Sequence, residues 1–496
     1  MRCSANRTTY WARKGSGEIV TLTDIVDGTR IAAGGLSDFA TGLVSPSVRL
    51  GVTGLSRAGK TVFITALVNA LLKGGRFPAF EALSGGRITR CYLEPQPDDT
   101  LPRFAFEPHT KALTGEHRHW PESTSRISQL RITVEYAPRG LIARNLGSGR
   151  LHIDIVDYPG EWLLDLPLMR MSYAEWSAAT VAASRVAPRL EQAGEWHAML
   201  ATLDATKPAD EQDAITAAEV FTAYLARCRK DDVSLSTLPP GRFLMPGDYK
   251  GSPLLAFAPL DIAPNAELVR ASLGALMERR YQAYVSTIVK PFFYGHFARL
   301  DRQIVLVDAL TALNAGASAV KDLQHALAEI LGCFRQGQNS LLSNLLGRRI
   351  DKVLFAATKA DLLHHTSHDR LENILKLIVE QAMTRAEYSG ATLDVAALAA
   401  IRATREASVR QKGETLECIV GTPLAGEKVG DTEFDGATEA AIFPGDLPKD
   451  AQKALDGSLE GALKFVRFRP PPPKDGTWPA IRLDRAMEFL LGDRFQ

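Results

Sequence analysis

The first clear pattern along the chain is the alternation of Val48, Leu50 and Val52 with Arg49, Gly51 and Thr53, which predicts a short strand. Val62 to Leu72 follows, apolar and free of Pro and Gly, as a helix should be. Ahead of this pair lie a loose extension over residues 1–17 and a weak helix from Leu22 to Ser45, interrupted at Gly34-Gly35. Residues 74–125 are rich in Gly, Pro and charge and show little periodicity, which predicts a long, poorly structured connection. Ile127–Tyr136 alternates cleanly, and with Leu151–Val156 it reads as a long hairpin.

From Leu163 to Arg229 the pattern is helical with no strand signal. Residues 230–265 are loop-rich, and another helix is expected over 266–289. Further strands are predicted at Ile304–Val307, Lys352–Ala357 and Ala397–Ala403, with helices at 317–334, 339–347 and 368–388. Residues 421–460 read as surface loops or edge hairpins, Pro470–Pro473 as a stiff polyproline spacer, and 482–491 as a terminal helix. Strands alternating with helices predict an α/β core with a mainly parallel sheet, one antiparallel hairpin and a large helical insertion. The expected division is an extension (1–17), a first core part (18–162), a helical insertion (163–265), a second core part (266–420) and C-terminal loops, spacer and helix (421–496).

Composition changes this picture little. At 496 residues, 45% hydrophobic and 23% charged, the chain is ordinary for a globular protein with a sizeable core. Its 58 Lys and Arg against 57 Asp and Glu leave a net charge of +1, without the basic excess of a nucleic-acid binder, so no nucleic-acid partner is expected. Five scattered cysteines form no metal spacing and fit a reducing compartment. There is no apolar run of membrane-spanning length and no secretory h-region.

The chemistry gathers at strand ends, where ligands of open α/β sheets bind. Gly54-Leu55-Ser56-Arg57-Ala58-Gly59-Lys60-Thr61 matches G-x-x-x-x-G-K-[ST] between the first strand and its helix. Gly54 and Gly59 allow main-chain N–H groups, with those of Ser56, Arg57, Ala58 and Val62, to turn around a phosphate. Lys60 supplies a point charge for the β- and γ-phosphates, and the Thr61 hydroxyl is a hard ligand for Mg²⁺. This is a P-loop. Arg57 either reaches a phosphate or points to solvent.

Asp157-Tyr158-Pro159-Gly160 follows the strand HIDIV, where Asp157 can hold Mg²⁺ and Gly160 can offer its N–H to a γ-phosphate. Glu161 stands where many GTPases carry a water-orienting Gln, which predicts slow hydrolysis. Thr124 in WPESTS is the candidate switch threonine over Mg²⁺. Asp308, after IVLV, is the rival metal carboxylate, otherwise a strand-end cap. Thr358-Lys359-Ala360-Asp361 after KVLFAA resembles [NT]-K-x-D: Asp361 can accept from the N1–H and exocyclic amine of guanine, and the Lys359 stem can pack on the base. Ala403 is a candidate for backbone packing on the same base. His364-His365 do not form a metal site by spacing and read as exposed helix residues.

With those residues in hand, the chain resembles the bacterial YcjX-like family of P-loop NTPases. The resemblance rests on GLSRAGKTVFITALVNALL, WPEST, DIVDYPGEWLLDLPL and ATKADLLHH, and the helical insertion after DYPGEW also fits. It implies a GTPase-like core and a stress-linked cytoplasmic protein that binds Mg²⁺ with GTP or GDP. It further implies a membrane-protein partner that would bring the chain to the inner membrane. An ATPase on the same core, or a non-hydrolysing nucleotide-bound scaffold, are the alternatives.

Overall fold

The computed structural model describes residues 46–54, 58–122, 124, 126–139, 149–230, 233, 235–332, 350–387, 390–411 and 414–496. The expected extension over 1–17, the weak helix at Leu22–Ser45, Ser56, Arg57 and the helix at 339–347 lie outside the described residues.

The main sheet is built from β1 (Ser47–Gly54), β2 (Ile88–Glu94), β3 (Ser128–Tyr136), β4 (Gly149–Asp157), β5 (Arg302–Val307), β6 (Lys352–Ala357) and β7 (Thr392–Ala397). Their spatial order is β2-β3-β4-β1-β5-β6-β7. β1 pairs in parallel with both β4 and β5, and β5-β6-β7 continue in parallel, while β2-β3-β4 form the antiparallel edge. The fold is thus mixed α/β with a mostly parallel core sheet and helical insertions. β1 sits where the chain departs to one side and returns on the other, the crevice at which ligands of such sheets bind.

Period-two alternation sorts the central strands onto two faces. Val48, Leu50 and Val52 of β1 and Leu306 and Leu354 of β5 and β6 pack with α1 (Lys60–Lys73) and the C-terminal helix Leu483–Leu491. Val305, Val307, Val353 and Phe355 point the other way, into helices Ala317–Gly332 and His368–Glu387. Burial on both faces is why these strands read as nearly continuous apolar runs.

Between β4 and β5 the chain forms a helical unit with its own aromatic-rich core, which includes Trp176, Trp196, Phe221, Phe257, Tyr281 and Phe292. Trp176 stacks on Tyr281 with centroids 5.3 Å apart. The main helices of this unit are α2 (Tyr173–Ser184), α3 (Glu211–Cys228) and α4 (Leu273–Tyr284), so helices on both sides of residue 265 share one core. Beyond β7, β8 (Arg405–Gln411) and β9 (Glu414–Gly421) form an antiparallel ribbon, with Ala440–Ile442 added to β9.

Three expectations are corrected. The connection over 74–125 contains β2 and a helix, Phe106–Thr114. β2 escapes the alternation test because it is an edge strand with Thr89 and Arg90 exposed, and the helix buries only Phe106 and Leu113. The last core strand lies at Thr392–Ala397, earlier than Ala397–Ala403, because the buried run continues through Leu398, Ala399 and Ile401 after the strand pairing stops. The helix expected from 266 begins at Leu273, where the Ser272 hydroxyl accepts from the Ala275 N–H at 3.3 Å. No described helix is long and apolar enough to cross a membrane.

Candidate functional site

The C-terminal ends of β1, β4, β6 and β7 open on the same edge of the sheet, as their parallel pairing requires. At the first, Gly59 caps α1 in the left-handed conformation, φ 82°. A Cβ on Gly54 would stand 2.7 Å from the Leu306 carbonyl oxygen, so glycine is needed there for close packing against β5. Ala58 is buried, and Val62 packs on the sheet core from its half-buried position. Lys60 folds back over the loop and donates from Nζ to the Gly54 carbonyl at 2.8 Å.

Thr61, Thr124 and Asp157 converge, although they lie on three separate segments. Thr61 Oγ1 is 3.2 Å from Thr124 Oγ1, and the Thr124 hydroxyl donates to Asp157 Oδ2 at 2.6 Å. The Glu122 carbonyl, 3.4 Å from Thr61 Oγ1, closes the same group. Asp157 is 1% exposed. Burial pushes its carboxyl up to about 6, against the opposing pull of Lys60 and Thr124. Among the described residues its Oδ1 is buried without a hydrogen-bond partner. Two hydroxyls, a carbonyl and an unsatisfied carboxylate oxygen are hard donors, so the residues present fit a Mg²⁺ ion.

Gly160 opens a 3-10 turn, Gly160–Arg170, that passes directly into the helical unit. Glu161 is 4% exposed, and its Oε1 accepts from Arg229 Nη1 at 3.2 Å, at the end of α3. It does not join the Thr61–Thr124–Asp157 group. The same turn is fastened at several further points. Trp162 donates to the Met245 carbonyl at 2.9 Å, and Asp165 accepts from the Tyr284 hydroxyl at 2.5 Å and from the Gly241 N–H at 2.6 Å.

The third strand end is equally ordered. Lys359 adopts φ 60°, a left-handed conformation rare for a non-glycine residue, and the Ala360 N–H donates to the Leu398 carbonyl at 3.1 Å. Thr358 ties the turn to β5 through its N–H, 2.9 Å from the Val307 carbonyl. Asp361 is 7% exposed; its Oδ2 accepts from the Ala403 N–H at 2.9 Å, so these two residues face one another. Burial raises the Asp361 carboxyl to about 6. Lys359 Nζ is 2.5 Å from Asp308 Oδ2, which anchors the Lys359 head to the end of β5. Asp308 also caps the following helix, accepting from the Thr311 N–H at 3.3 Å, so it serves as a strand-end cap.

A model of the YcjX-like family (DUF463) matches residues 48–495. The chain belongs to this family. It is 35% identical over 464 residues to the Ras-like GTPase YcjX of Escherichia coli K12, covering 91% of this chain and 97% of that protein. It is 36% identical over 478 residues to the Ras-like GTPase YcjX of Shewanella oneidensis MR-1, covering 90% and 95%. Membership supports a general P-loop NTPase-like function.

For this YcjX-like chain, sequence reasoning missed Arg229, Gly241 and the Lys359–Asp308 pair. None carries a local pattern: each acquires its place through a partner 51 or more residues away. Gly241 is the most constrained of them, since a Cβ there would lie 1.8 Å from the Glu161 carbonyl oxygen. Gly241→Ala is expected to lower stability by about 3 kcal/mol, because backbone rather than a flexible side chain would have to move. A urea-unfolding midpoint equal to that of the parent protein would show the contact to be yielding.

Proposed function

We propose that the chain is a Mg²⁺-dependent guanine-nucleotide-binding GTPase, a slow hydrolase whose nucleotide state is passed to the helical unit. The observation that carries this reading is the convergence of Lys60, Thr61, Thr124 and Asp157 at the adjacent ends of β1 and β4, with Asp361 facing Ala403 beyond the end of β6. Lys60 would exchange the Gly54 carbonyl for phosphate oxygens, and Gly160 would present its N–H to the γ-phosphate. Thr61, Thr124 and Asp157 would hold Mg²⁺, which supplies neutralising charge for the phosphates when bound. Asp361 would read the guanine N1–H and amine while the Ala403 N–H holds its carboxylate in place. The Lys359 stem, anchored at Asp308, would cover the base.

The direct test is multiple-turnover phosphate release from GTP and ATP with Mg²⁺. Release from GTP alone, lost in Lys60→Ala, is expected. Equal turnover of ATP would favour the adenine alternative, in which Asp361 only orders the Ala403 loop. Binding without turnover would favour the scaffold alternative, to which the engagement of Glu161 by Arg229 lends some support.

The raised carboxyls give this reading a pH signature. Asp157 and Asp361 both titrate at about 6 in the free protein, yet each must be ionised to do its proposed work. Binding of Mg²⁺·GDP at pH 6 should therefore expel about one proton in total, half from each group, and affinity should fall as pH drops below 6. The stability of the nucleotide-free protein runs the other way. Because both folded values lie above the unfolded ones, these groups add stability as pH falls from 6 towards 4. Calorimetry in buffers of different ionisation enthalpy measures the proton count; no release at pH 6 would contradict the assignment.

A further inference from the structure

The pair His364-His365 is not on an exposed helix face. His364 is 8% exposed and extended, and His365 opens a short 3-10 turn, His365–Ser367. This geometry sets the two rings on the same side, with centroids 4.3 Å apart, against the ribbon of β8 and β9. His365 Nδ1 lies 2.8 Å from Glu406 Oε2 on β8, and His364 Nε2 lies 3.1 Å from Glu417 Oε2 on β9. Among the described residues, His364, His365 and Glu406 are the one group of three such side chains whose ligating atoms all fall within 4.8 Å of one another.

We propose that His364, His365, Glu406 and Glu417 form a binding site for a divalent first-row transition ion, Zn²⁺ being the best match to two imidazoles and two carboxylates. In a tetrahedral shell with bonds of about 2.0–2.1 Å, neighbouring donors stand about 3.3 Å apart. Each His–Glu pair is already near that spacing. Glu417 stands outside the 4.8 Å group and its Oε2 also accepts from the Ser408 hydroxyl at 3.0 Å, so it must swing towards the other three to complete the shell. Imidazole donors disfavour Mg²⁺ and Ca²⁺, which take oxygen shells. The Thr366 hydroxyl, 3.1 Å from His364 Nδ1, can accept an Nδ1–H and so leave the Nε2 lone pair for the ion. Arg402 opposes the site with its charge, 2.9 Å from Glu406, but it holds Oε1 and leaves Oε2 turned to His365. Without an ion the four side chains would make two ordinary His–carboxylate pairs, and this is the outcome the test must separate.

The place of the site gives it a consequence that rests on the guanine reading. His364 follows Asp361 by three residues, and Glu406 follows the Ala403–Thr404 loop. An ion shared between them would clamp the two halves of the base-reading pair and slow GDP release. By linkage, bound GDP would tighten the ion by the same factor by which the ion lowers the GDP dissociation constant.

The test uses the full chain, stripped of metal and nucleotide, titrated with Zn²⁺ against a chromogenic chelator. One equivalent should bind, and His365→Ala and Glu406→Gln should each weaken it by at least about tenfold. The His365 side chain is 62% exposed, so its removal does not endanger the fold. Mg²⁺ in place of Zn²⁺ should not compete. Zn²⁺ binding equally tight in the parent protein and both variants would overturn the site. GDP dissociation is then timed with and without Zn²⁺: slowing in the parent protein, absent in His365→Ala, supports the clamp. Unchanged dissociation alongside Zn²⁺ binding would overturn the clamp alone.

Discussion

Asp361→Asn should exchange the base preference of the protein, weakening GDP by roughly 10²- to 10³-fold while admitting xanthosine diphosphate. The carboxylate can only accept, which suits the two donors on the guanine edge; an amide in the same place sets an NH₂ against one of them. Xanthine carries a carbonyl where guanine carries the amine and so accepts from the new NH₂. The Ala403 N–H keeps an oxygen acceptor in the variant, because the amide can turn its oxygen to the position now held by Oδ2. The loop should therefore survive the change, and the loss should be specific to the base. Calorimetric titration with GDP, ADP and xanthosine diphosphate measures it. Equal weakening of GDP and ADP, with no gain for the xanthine nucleotide, would reduce Asp361 to a loop-ordering residue.

The second large effect is expected at Arg229. Glu161 follows Gly160 directly and is buried, so under the proposed reading its charge would act on an arriving γ-phosphate with little screening by water. Arg229 offsets that charge. Arg229→Ala should leave GDP binding nearly intact but weaken a non-hydrolysable GTP analogue by roughly tenfold, the signature of uncompensated like charge. Glu161→Gln added to Arg229→Ala should restore the analogue, since the repelling charge is then gone. This cycle separates electrostatics from packing. Equal weakening of both nucleotides by Arg229→Ala, unrelieved by Glu161→Gln, would make the pair a purely structural fastening between turn and helical unit. If the pair does transmit nucleotide state, limited proteolysis of residues 163–230 should differ between GDP and the GTP analogue.

What could be read from the sequence followed from how each residue gets its environment. The strand ends bearing Gly54–Thr61, Asp157 and Thr358–Asp361 were legible because doubly buried strands are apolar runs and the motifs stop them abruptly. The structure sets Thr124 beside Thr61 and Asp157, and its loop has no periodicity from which that position could be read. The edge strand Ile88–Glu94 was not legible, since one neighbour and one wet face leave no strict alternation. Nor were the roles of Arg229, Gly241 or the His364–Glu417 pair, which arise from contacts between segments far apart in the chain. Short-range pattern has nothing to say about such contacts.

The helical unit leaves the sheet at Asp157 and returns at Arg302, and both strand ends flank β1. Its own core ties Val156 and Tyr158 at one end to Phe297 and Leu300 at the other. Tethering β4 and β5 by a floppy connection of that length would cost about 4 kcal/mol in closure entropy. A unit that collapses on itself first brings its ends within two strand spacings, about 10 Å, and presents a ready-made slot for β1. During vectorial synthesis the crevice beside β1 would then be completed only once the last of these helices had emerged. A chain stalled before residue 300 would hold Gly54–Lys60 with no wall behind it.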